Sequence, residues 1–271
     1  MNRILVYSIA TASLYCLAGP DKKRIQRATG FFLKHNEKIY LITNDHVVSG
    51  LGHGDRKILS ETGAIPSWLE INLFAPTNIN FDSQTPTPTG AEPYKLTVPL
   101  YNDVEQCLEP RWNSHPELGH LVDVVALDIQ EAVDKALINA PATLSFSSEK
   151  AKYRPMDRVF VVGFPLDIDK SPNPFPIYKS ASIASEPDFL GERPYVLIDG
   201  KTKSGMSGSP VILQHGTKMT DQANGFEFSS GETELIGVYS GRESESNSTF
   251  EAELGLMWSL NRAISPILNL L

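Results

Sequence analysis

Cysteine is scarce in this sequence, with only Cys16 and Cys107 among 271 residues. A small secreted protein that depends on disulfides carries more cysteines than this. We therefore favour two buried free thiols, with a single bridge as the alternative. Neither the cysteines nor the six histidines pair at the spacing typical of metal ligands. We predict no metal site and no cofactor.

Clustered positive charge and long apolar runs are also lacking. The formal net charge is −8, and the only tight group of cations is Lys-Lys-Arg at residues 22–24. A phosphate-reading surface needs a broader basic patch, so we do not expect nucleic acid as a partner. No apolar run reaches the roughly 18–20 residues that a membrane span requires, so we do not expect a membrane partner either.

Residues 1–19 match a signal peptide only in part. Polar residues such as Tyr7, Ser8 and Thr11 interrupt the apolar stretch, and a clean cleavage site of small residues is missing. The β-branched and aromatic residues of this segment suit a first strand. We predict a strand and a cytoplasmic protein, and the alternative is a signal peptide on an exported protein.

Long helical patterns are rare, and short apolar runs bounded by turn residues take their place. Such runs, with Gly and Pro spread along the chain, are typical of an all-β sandwich or barrel. The runs are Thr29–Lys34, Lys38–Thr43, Trp68–Phe74, Tyr94–Leu100, Val122–Ile129, Arg158–Gly163, Ser180–Ser185, Tyr195–Asp199, Ser209–Leu213 and Leu235–Tyr239.

Three further segments have other compositions. Residues 76–93 are rich in Thr, Pro, Asn and Gln, which predicts a long surface loop, and residues 215–232 form a second irregular stretch. Apolar residues at helical spacing predict a C-terminal helix over residues 259–271, interrupted by Pro266.

The sharpest motif is Gly205-Met206-Ser207-Gly208-Ser209-Pro210, which precedes an apolar strand. A serine hydroxyl is a poor nucleophile unless a base accepts its proton and donors stabilise the oxyanion that forms. The small residues permit a tight turn, and we predict that the amides of Gly205 and Ser207 form the oxyanion hole. The alternative is a Gly/Ser turn that merely joins two strands.

A histidine and an aspartate stand where a base and its partner are expected. His46 follows the apolar strand 38–43, and Asp123 begins the apolar run 122–129. A buried Asp must be paired, and an Asp that accepts the N–H of an imidazole fixes its tautomer. A lone histidine in such a place is more often structural, so the assignment depends on the three residues together. Asp128 reads as a solvated strand end.

Taken in the order His46, Asp123, Ser207, these segments resemble those of bacterial trypsin-like serine peptidases. The serine segment has the form G-x-S-G-S-P, and the histidine and aspartate segments are Thr43-Asn44-Asp45-His46 and Asp123–Leu127. Three more segments are similar to strands of that family: Thr29–Phe32, Phe160–Pro165 and Leu235–Gly241.

The resemblance implies a fold of two six-stranded antiparallel β-barrels with the catalytic triad at their junction. It places the first barrel in residues 1–138, with His46 and Asp123, and the second in residues 139–271, with Ser207 and the C-terminal helix. It implies a serine endopeptidase that hydrolyses protein or peptide substrates. It does not indicate an oligomeric state.

The residue before the nucleophile departs from the pattern of the secreted digestive enzymes. In those enzymes an Asp there pairs with an N-terminus freed by cleavage, whereas here the position holds Met206. We predict that loop packing or a partner holds the oxyanion hole, without N-terminal processing.

The resemblance also suggests residues that contact substrate. Lys201 stands where the floor of the specificity pocket is expected, and a lysine there would favour an acidic residue before the scissile bond. Thr202 and Tyr239 lie where glutamyl endopeptidases carry polar pocket residues. Ser240 and Gly241 are predicted to pair with the substrate as an added β-strand. The alternative is that the lysine points into solvent.

Two other classes of protein compete with this interpretation. An α/β-hydrolase esterase carries G-x-S-x-G with its histidine last, whereas here Ser209 replaces the final Gly and only His215 follows, too soon for that arrangement. The second rival is a latent or inactive protease fold that acts as a partner-regulated binding module. The presence of all three triad residues argues against it.

Overall fold

Strands dominate the computed structural model, which describes residues 4–80, 87–136, 138, 140–145, 151–165, 174–188, 195–200, 202–216, 218–222, 225–229, 232–242 and 254–271. The strands are β1 (Thr11–Ala18), β2 (Lys23–His35), β3 (Lys38–Thr43), β4 (Trp68–Asn80), β5 (Thr87–Pro99), β6 (Tyr101–Asp103), β7 (Leu108–Pro110), β8 (Trp112–Asn113), β9 (Val125–Asp128), β10 (Arg158–Gly163), β11 (Ile177–Ile183), β12 (Tyr195–Asp199), β13 (Pro210–Gln214), β14 (Lys218–Gln222), β15 (Gly225–Ser229), β16 (Thr233–Arg242) and β17 (Leu254–Ser259). The helices are α1 (Val6–Ile9), α2 (Asp45–Ser49), α3 (Gln130–Ala136), a π-helix (Leu260–Ile264) and α4 (Ser265–Leu268).

The strands form two large antiparallel sheets, one in each half of the chain. The C-terminal half is a closed barrel in the order β10-β11-β12-β17-β16-β13, and the N-terminal half is a seven-stranded sheet in the order β5-β4-β1-β2-β3-β9-β8. The all-β prediction is confirmed, as is the six-stranded second barrel, while the first half has seven strands in its sheet. The predicted boundary at residue 138 falls between the two sheets and stays a prediction.

Apolar side chains fill three clusters, and one of them is shared between the two halves. The first cluster lies within the N-terminal sheet and the third within the C-terminal barrel. In the second, Phe31 and Tyr40 from the sheet pack with Ile212 and Trp258 from the barrel and with Ile264 from the π-helix. Burial of these faces against each other is a strong driving force for holding the halves together.

The N-terminal segment forms strand β1, in the middle of its sheet. It pairs with β2 on one side and with β4 on the other, and Leu14 and Cys16 are fully buried. The strand prediction is thus confirmed for residues 11–18, while the cytoplasmic location stays a prediction. Among the helices that the structure describes, none combines the length and the apolar character needed to cross a membrane.

The loop predicted over residues 76–93 was wrong for most of its length. Its first part extends β4 and its last part belongs to β5, with Ala75 opposite Glu92 and Pro76 opposite Ala91. Residues 81–86 lie outside the described part of the chain. The prolines misled the prediction because β5 is an edge strand, where a residue without an N–H is tolerated.

The second irregular stretch, residues 215–232, was also predicted wrongly in part. It contains the antiparallel strands β14 and β15. They form a two-stranded sheet of their own, separate from the main barrel. The C-terminal helix is confirmed as the π-helix followed by α4, with Pro266 in the first turn of α4, where a proline costs no hydrogen bond. Both cysteines are free, Cys16 buried and Cys107 half-buried.

Candidate active site

His46 and Asp123 lie against each other in a buried pocket of the N-terminal half. Strand β3 ends at Thr43, and the chain turns into the short helix α2, whose second residue is His46. Its Nδ1 lies 2.7 Å from Oδ2 of Asp123, and its main-chain N–H donates to Oδ1 at 2.9 Å. The predicted contact between these two side chains is present in the structure.

Two more hydrogen bonds fix the position of Asp123. The Ser240 hydroxyl donates to its Oδ2, and the side-chain amide of Asn44 donates to its main-chain carbonyl at 2.6 Å. The aspartate is fully buried. A buried carboxylate with this many donors is held in one orientation, which in turn fixes the imidazole of His46.

Burial and charge oppose each other in setting the pKa values of this pair. Burial by itself raises the pKa of Asp123, but the charge of His46 and the hydrogen bonds from His46 and Ser240 outweigh it and lower that pKa below its ordinary value. Burial by itself lowers the pKa of His46, and the Asp123 carboxylate outweighs it, so that the pKa of His46 is raised. Asp123 is therefore ionised near neutral pH, and because a carboxylate can only accept, Nδ1 of His46 carries the proton.

We expect NMR titration of the imidazoles to give His46 a pKa above the ordinary value of about 6.5. In Asp123→Asn the favourable charge is lost while the burial remains, so the pKa of His46 should fall below that ordinary value. The His46→Gln variant assigns the resonance, and the other histidine resonances are the internal control. An unchanged midpoint in Asp123→Asn would show that the carboxylate does not set the protonation of His46.

Ser207 lies in the tight loop that directly precedes the barrel strand β13. Gly205 and Gly208 on either side have φ values of +94° and +84°, a region that glycine enters without steric cost. The Gly208 N–H donates to the Tyr239 carbonyl at 2.8 Å, and the Ser209 N–H donates to the Met206 carbonyl at 3.1 Å. These bonds shape the loop, and Ser207 itself is only half-buried.

Two sets of contacts bring Ser207 to the part of the molecule that holds His46 and Asp123. The Ser207 carbonyl accepts the Thr29 N–H at 2.8 Å, and the Thr29 carbonyl accepts the hydroxyl of Thr43, three residues before His46. On the other side, Gly241 lies so close that a methyl group there would come within 3.9 Å of Ser207 Oγ. Gly241 follows Ser240, which binds Asp123. These contacts bring the loop of Ser207 next to the segments that hold His46 and Asp123, and the triad itself stays a prediction.

The predicted oxyanion-hole residues lie in this same loop. Gly205 is buried, and its carbonyl accepts the Thr29 hydroxyl at 2.8 Å. Met206 is fully buried in the apolar cluster of the barrel, beside Val196 and Met257. In the secreted enzymes an Asp at this position forms an ion pair, whereas here the apolar side chain of Met206 packs in the core. The role of the Gly205 and Ser207 amides stays a prediction.

The predicted substrate-binding residues fall into three groups. Lys201 lies outside the described residues. The hydroxyls of Thr202 and Tyr239 bind each other, and both side chains are buried. The Ser240 hydroxyl is bound to Asp123, and Gly241 follows it in strand β16. Their contacts with substrate stay predictions.

Sequence reasoning did not single out three polar residues that support the site. Asn44 donates a hydrogen bond to the main chain of Asp123, Thr29 donates across the junction to Gly205, and Thr43 donates to the Thr29 carbonyl within the N-terminal sheet. All three residues are fully buried. A signal was present in the sequence, because each is a polar residue in or next to a strand end whose other residues are apolar. A buried polar side chain in such a place needs a specific partner.

A closed antiparallel barrel beside a second antiparallel sheet is the arrangement of trypsin-like proteins. The chain belongs to that family, because the family model described as the trypsin-like peptidase domain matches residues 28–218. Peptides are the substrates that membership of this family implies. No curated protein sequence matches the chain significantly.

Solved structures of the Rv3671c protease from M. tuberculosis are similar to this chain. Its inactive form is 18% identical with a TM-score of 0.46, over 97% of this chain and 89% of that chain. An inactive serine-to-alanine mutant is 19% identical with a TM-score of 0.44, over 96% and 85% of the two chains. The active form is 17% identical with a TM-score of 0.45, over 96% and 82%.

Proposed function

We propose that this chain is a serine endopeptidase that cleaves peptide bonds through an acyl-enzyme intermediate. The observation that carries the proposal is the buried contact of 2.7 Å between His46 Nδ1 and the Asp123 carboxylate, placed at the same junction as Ser207. With Nδ1 protonated, the neutral imidazole presents the lone pair of Nε2 as a base. The contacts of the Ser207 loop with Thr29 and Gly241 support the presence of the nucleophile near this pair.

The proposed reaction has two halves. His46 accepts the proton of Ser207 as the hydroxyl oxygen attacks the substrate carbonyl, and the imidazolium that forms is stabilised by Asp123. The amides of Gly205 and Ser207 stabilise the oxyanion, and His46 then gives the proton to the leaving amine. Water attacks the ester on Ser207, with His46 as base again, and releases the acid product.

A fluorophosphonate reacts with an activated serine and leaves a covalent mark, so it tests this proposal directly. We expect the full chain, with its N-terminus intact, to be labelled close to stoichiometrically, at Ser207 alone by peptide mass mapping. The N-terminus need not be freed because Met206 is packed in the core and has no ion pair to form. Ser204→Ala is the matched control, since this exposed serine lies in the same loop and its loss should leave labelling unchanged.

The outcomes of the labelling separate the alternatives. Labelling that appears only after N-terminal trimming would contradict activity without processing but would retain the endopeptidase. No labelling under either condition would contradict the endopeptidase and favour a catalytically inactive, partner-regulated binding module.

A further inference from the structure

Thr29 in strand β2 lies where the two halves meet, and all of its hydrogen-bonding groups are engaged there. Its N–H donates to the Ser207 carbonyl at 2.8 Å, and its carbonyl accepts the Thr43 hydroxyl at 2.9 Å. Its hydroxyl donates to the Gly205 carbonyl at 2.8 Å and accepts the Phe164 N–H at 3.0 Å. The residue is fully buried. One residue thus joins the N-terminal sheet, the loop of residues 205–209 (the serine loop) and the end of barrel strand β10.

These bonds hold the serine loop at both ends of its central peptide. The Gly205 carbonyl and the Ser207 carbonyl flank the Met206–Ser207 peptide, whose N–H belongs to Ser207, and Thr29 binds both carbonyls. Gly205 has a φ of +94° and carries no Cβ, so its own backbone offers little resistance to rotation. Thr29 supplies a restraint on this segment from outside the loop.

The surrounding glycines are consistent with a tightly fitted contact at Thr29. A Cβ at Gly208 would collide with the Thr29 carbonyl oxygen and with the Thr43 hydroxyl. A Cβ at Gly163 would collide with the Ser209 hydroxyl and would lie 3.0 Å from the Thr29 hydroxyl. The backbone therefore approaches Thr29 closely from two sides.

We propose that Thr29 is a positioning residue that orients the Gly205–Ser207 segment for oxyanion stabilisation, in the role that an N-terminal ion pair plays in the secreted enzymes. This inference rests on the proposed function. The Thr29 hydroxyl donates a hydrogen bond to the Gly205 carbonyl, and the Met206 side chain packs in the apolar cluster of the barrel. Thr29 of the N-terminal sheet thereby holds the loop, and cleavage of the N-terminus is not needed.

The test compares Thr29→Val, Thr29→Ala and Thr29→Ser with the unaltered chain on a fluorogenic peptide. Loss of one oxyanion-hole donor lowers kcat by about 10²–10³-fold, and we expect loss of the Thr29 hydroxyl in Val and Ala to lower kcat by at least about 10-fold. KM should change by less than about 3-fold, because the transition state is affected more than substrate binding. Thr29→Ser keeps the hydroxyl and should retain most of kcat.

Hydrogen exchange gives a readout that does not need activity. The Gly208 N–H is bonded to the Tyr239 carbonyl and the Ser209 N–H to the Met206 carbonyl, so both amides report opening of the loop. Their exchange should be about 5- to 10-fold faster in Thr29→Ala than in Thr29→Ser, the change expected from loss of the hydroxyl's hydrogen bond to the Gly205 carbonyl. Since these two variants differ by one oxygen atom, they carry the test if Thr29→Val does not fold.

Thr11→Val is the matched control, because Thr11 is equally buried and its hydroxyl has no hydrogen-bond partner among the described residues. It should leave kcat and loop exchange unchanged. Equal kcat and equal exchange in all Thr29 variants would overturn the inference while leaving the endopeptidase intact. If the unaltered chain neither cleaves peptides nor takes the fluorophosphonate, the proposed function fails, and the exchange comparison alone decides the role of Thr29.

Discussion

Replacing Ser207 by alanine should lower the turnover of a peptide substrate by about 10⁴- to 10⁶-fold. The substitution removes the oxygen that attacks the substrate carbonyl, and neither His46 nor Asp123 offers an equivalent nucleophile. What remains is the catalysis that binding and the oxyanion hole supply without a covalent step. The measurement is the initial rate on a fluorogenic peptide or a protein substrate, with enzyme concentrations high enough to detect the residual activity.

The fold of the Ser207→Ala variant should be intact, so that the loss reports chemistry. The contact that anchors this residue is made by its main-chain carbonyl, which accepts the Thr29 N–H and is unchanged in alanine. Thermal unfolding should therefore match that of the unaltered chain, and Ser204→Ala should keep full turnover. Unchanged hydrolysis by Ser207→Ala would remove the basis for a serine endopeptidase.

Replacing Asp123 by asparagine should lower kcat by about 10⁴-fold, as expected when the orienting carboxylate of a triad is lost. The carboxylate accepts from the His46 ring, from the His46 main chain and from Ser240. An amide in its place can turn its NH2 group towards Nδ1. His46 would then carry its proton on Nε2, where the base must have a lone pair.

The matched control is Asp128→Asn, which makes the same chemical change in the strand that follows Asp123. The Asp128 side chain is 36% exposed and pairs with Lys38 at 3.0 Å, away from the triad. Exposed ion pairs contribute little, so its kcat should stay within about 2-fold of the unaltered chain. Similar losses in both variants would indicate a general effect of carboxylate removal instead of a triad.

The sequence was sufficient to predict the contact between His46 and Asp123, because a carboxylate in an apolar strand is a rare chemical context. Asp123 is a carboxylate at the head of an apolar strand, and such a residue must find a buried partner, which is His46. The ten short apolar runs were found for a similar reason, since burial on a sheet leaves a clear pattern of side chains. Each run overlaps a strand of the structure.

What the sequence did not predict depends on contacts between distant segments. The hairpin of β4 and β5 is held by backbone pairing, which its prolines and polar residues conceal. The role of Thr29 follows from its meeting Gly205, 176 positions away, and Phe164, 135 positions away. Substrate choice is harder still to predict, because it depends on which side chains face an open pocket.

The apolar cluster shared by the two halves restricts how this molecule can admit a substrate. Residues such as Phe31, Ile212 and Trp258 pack across the junction and are almost fully buried. A hinge motion that separated the halves would expose these faces to water, at a cost of about 25 cal/mol for each Å² of apolar surface. We therefore expect a polypeptide to enter without separation of the halves, so that segments outside this cluster can change the specificity while the shared core keeps its stability.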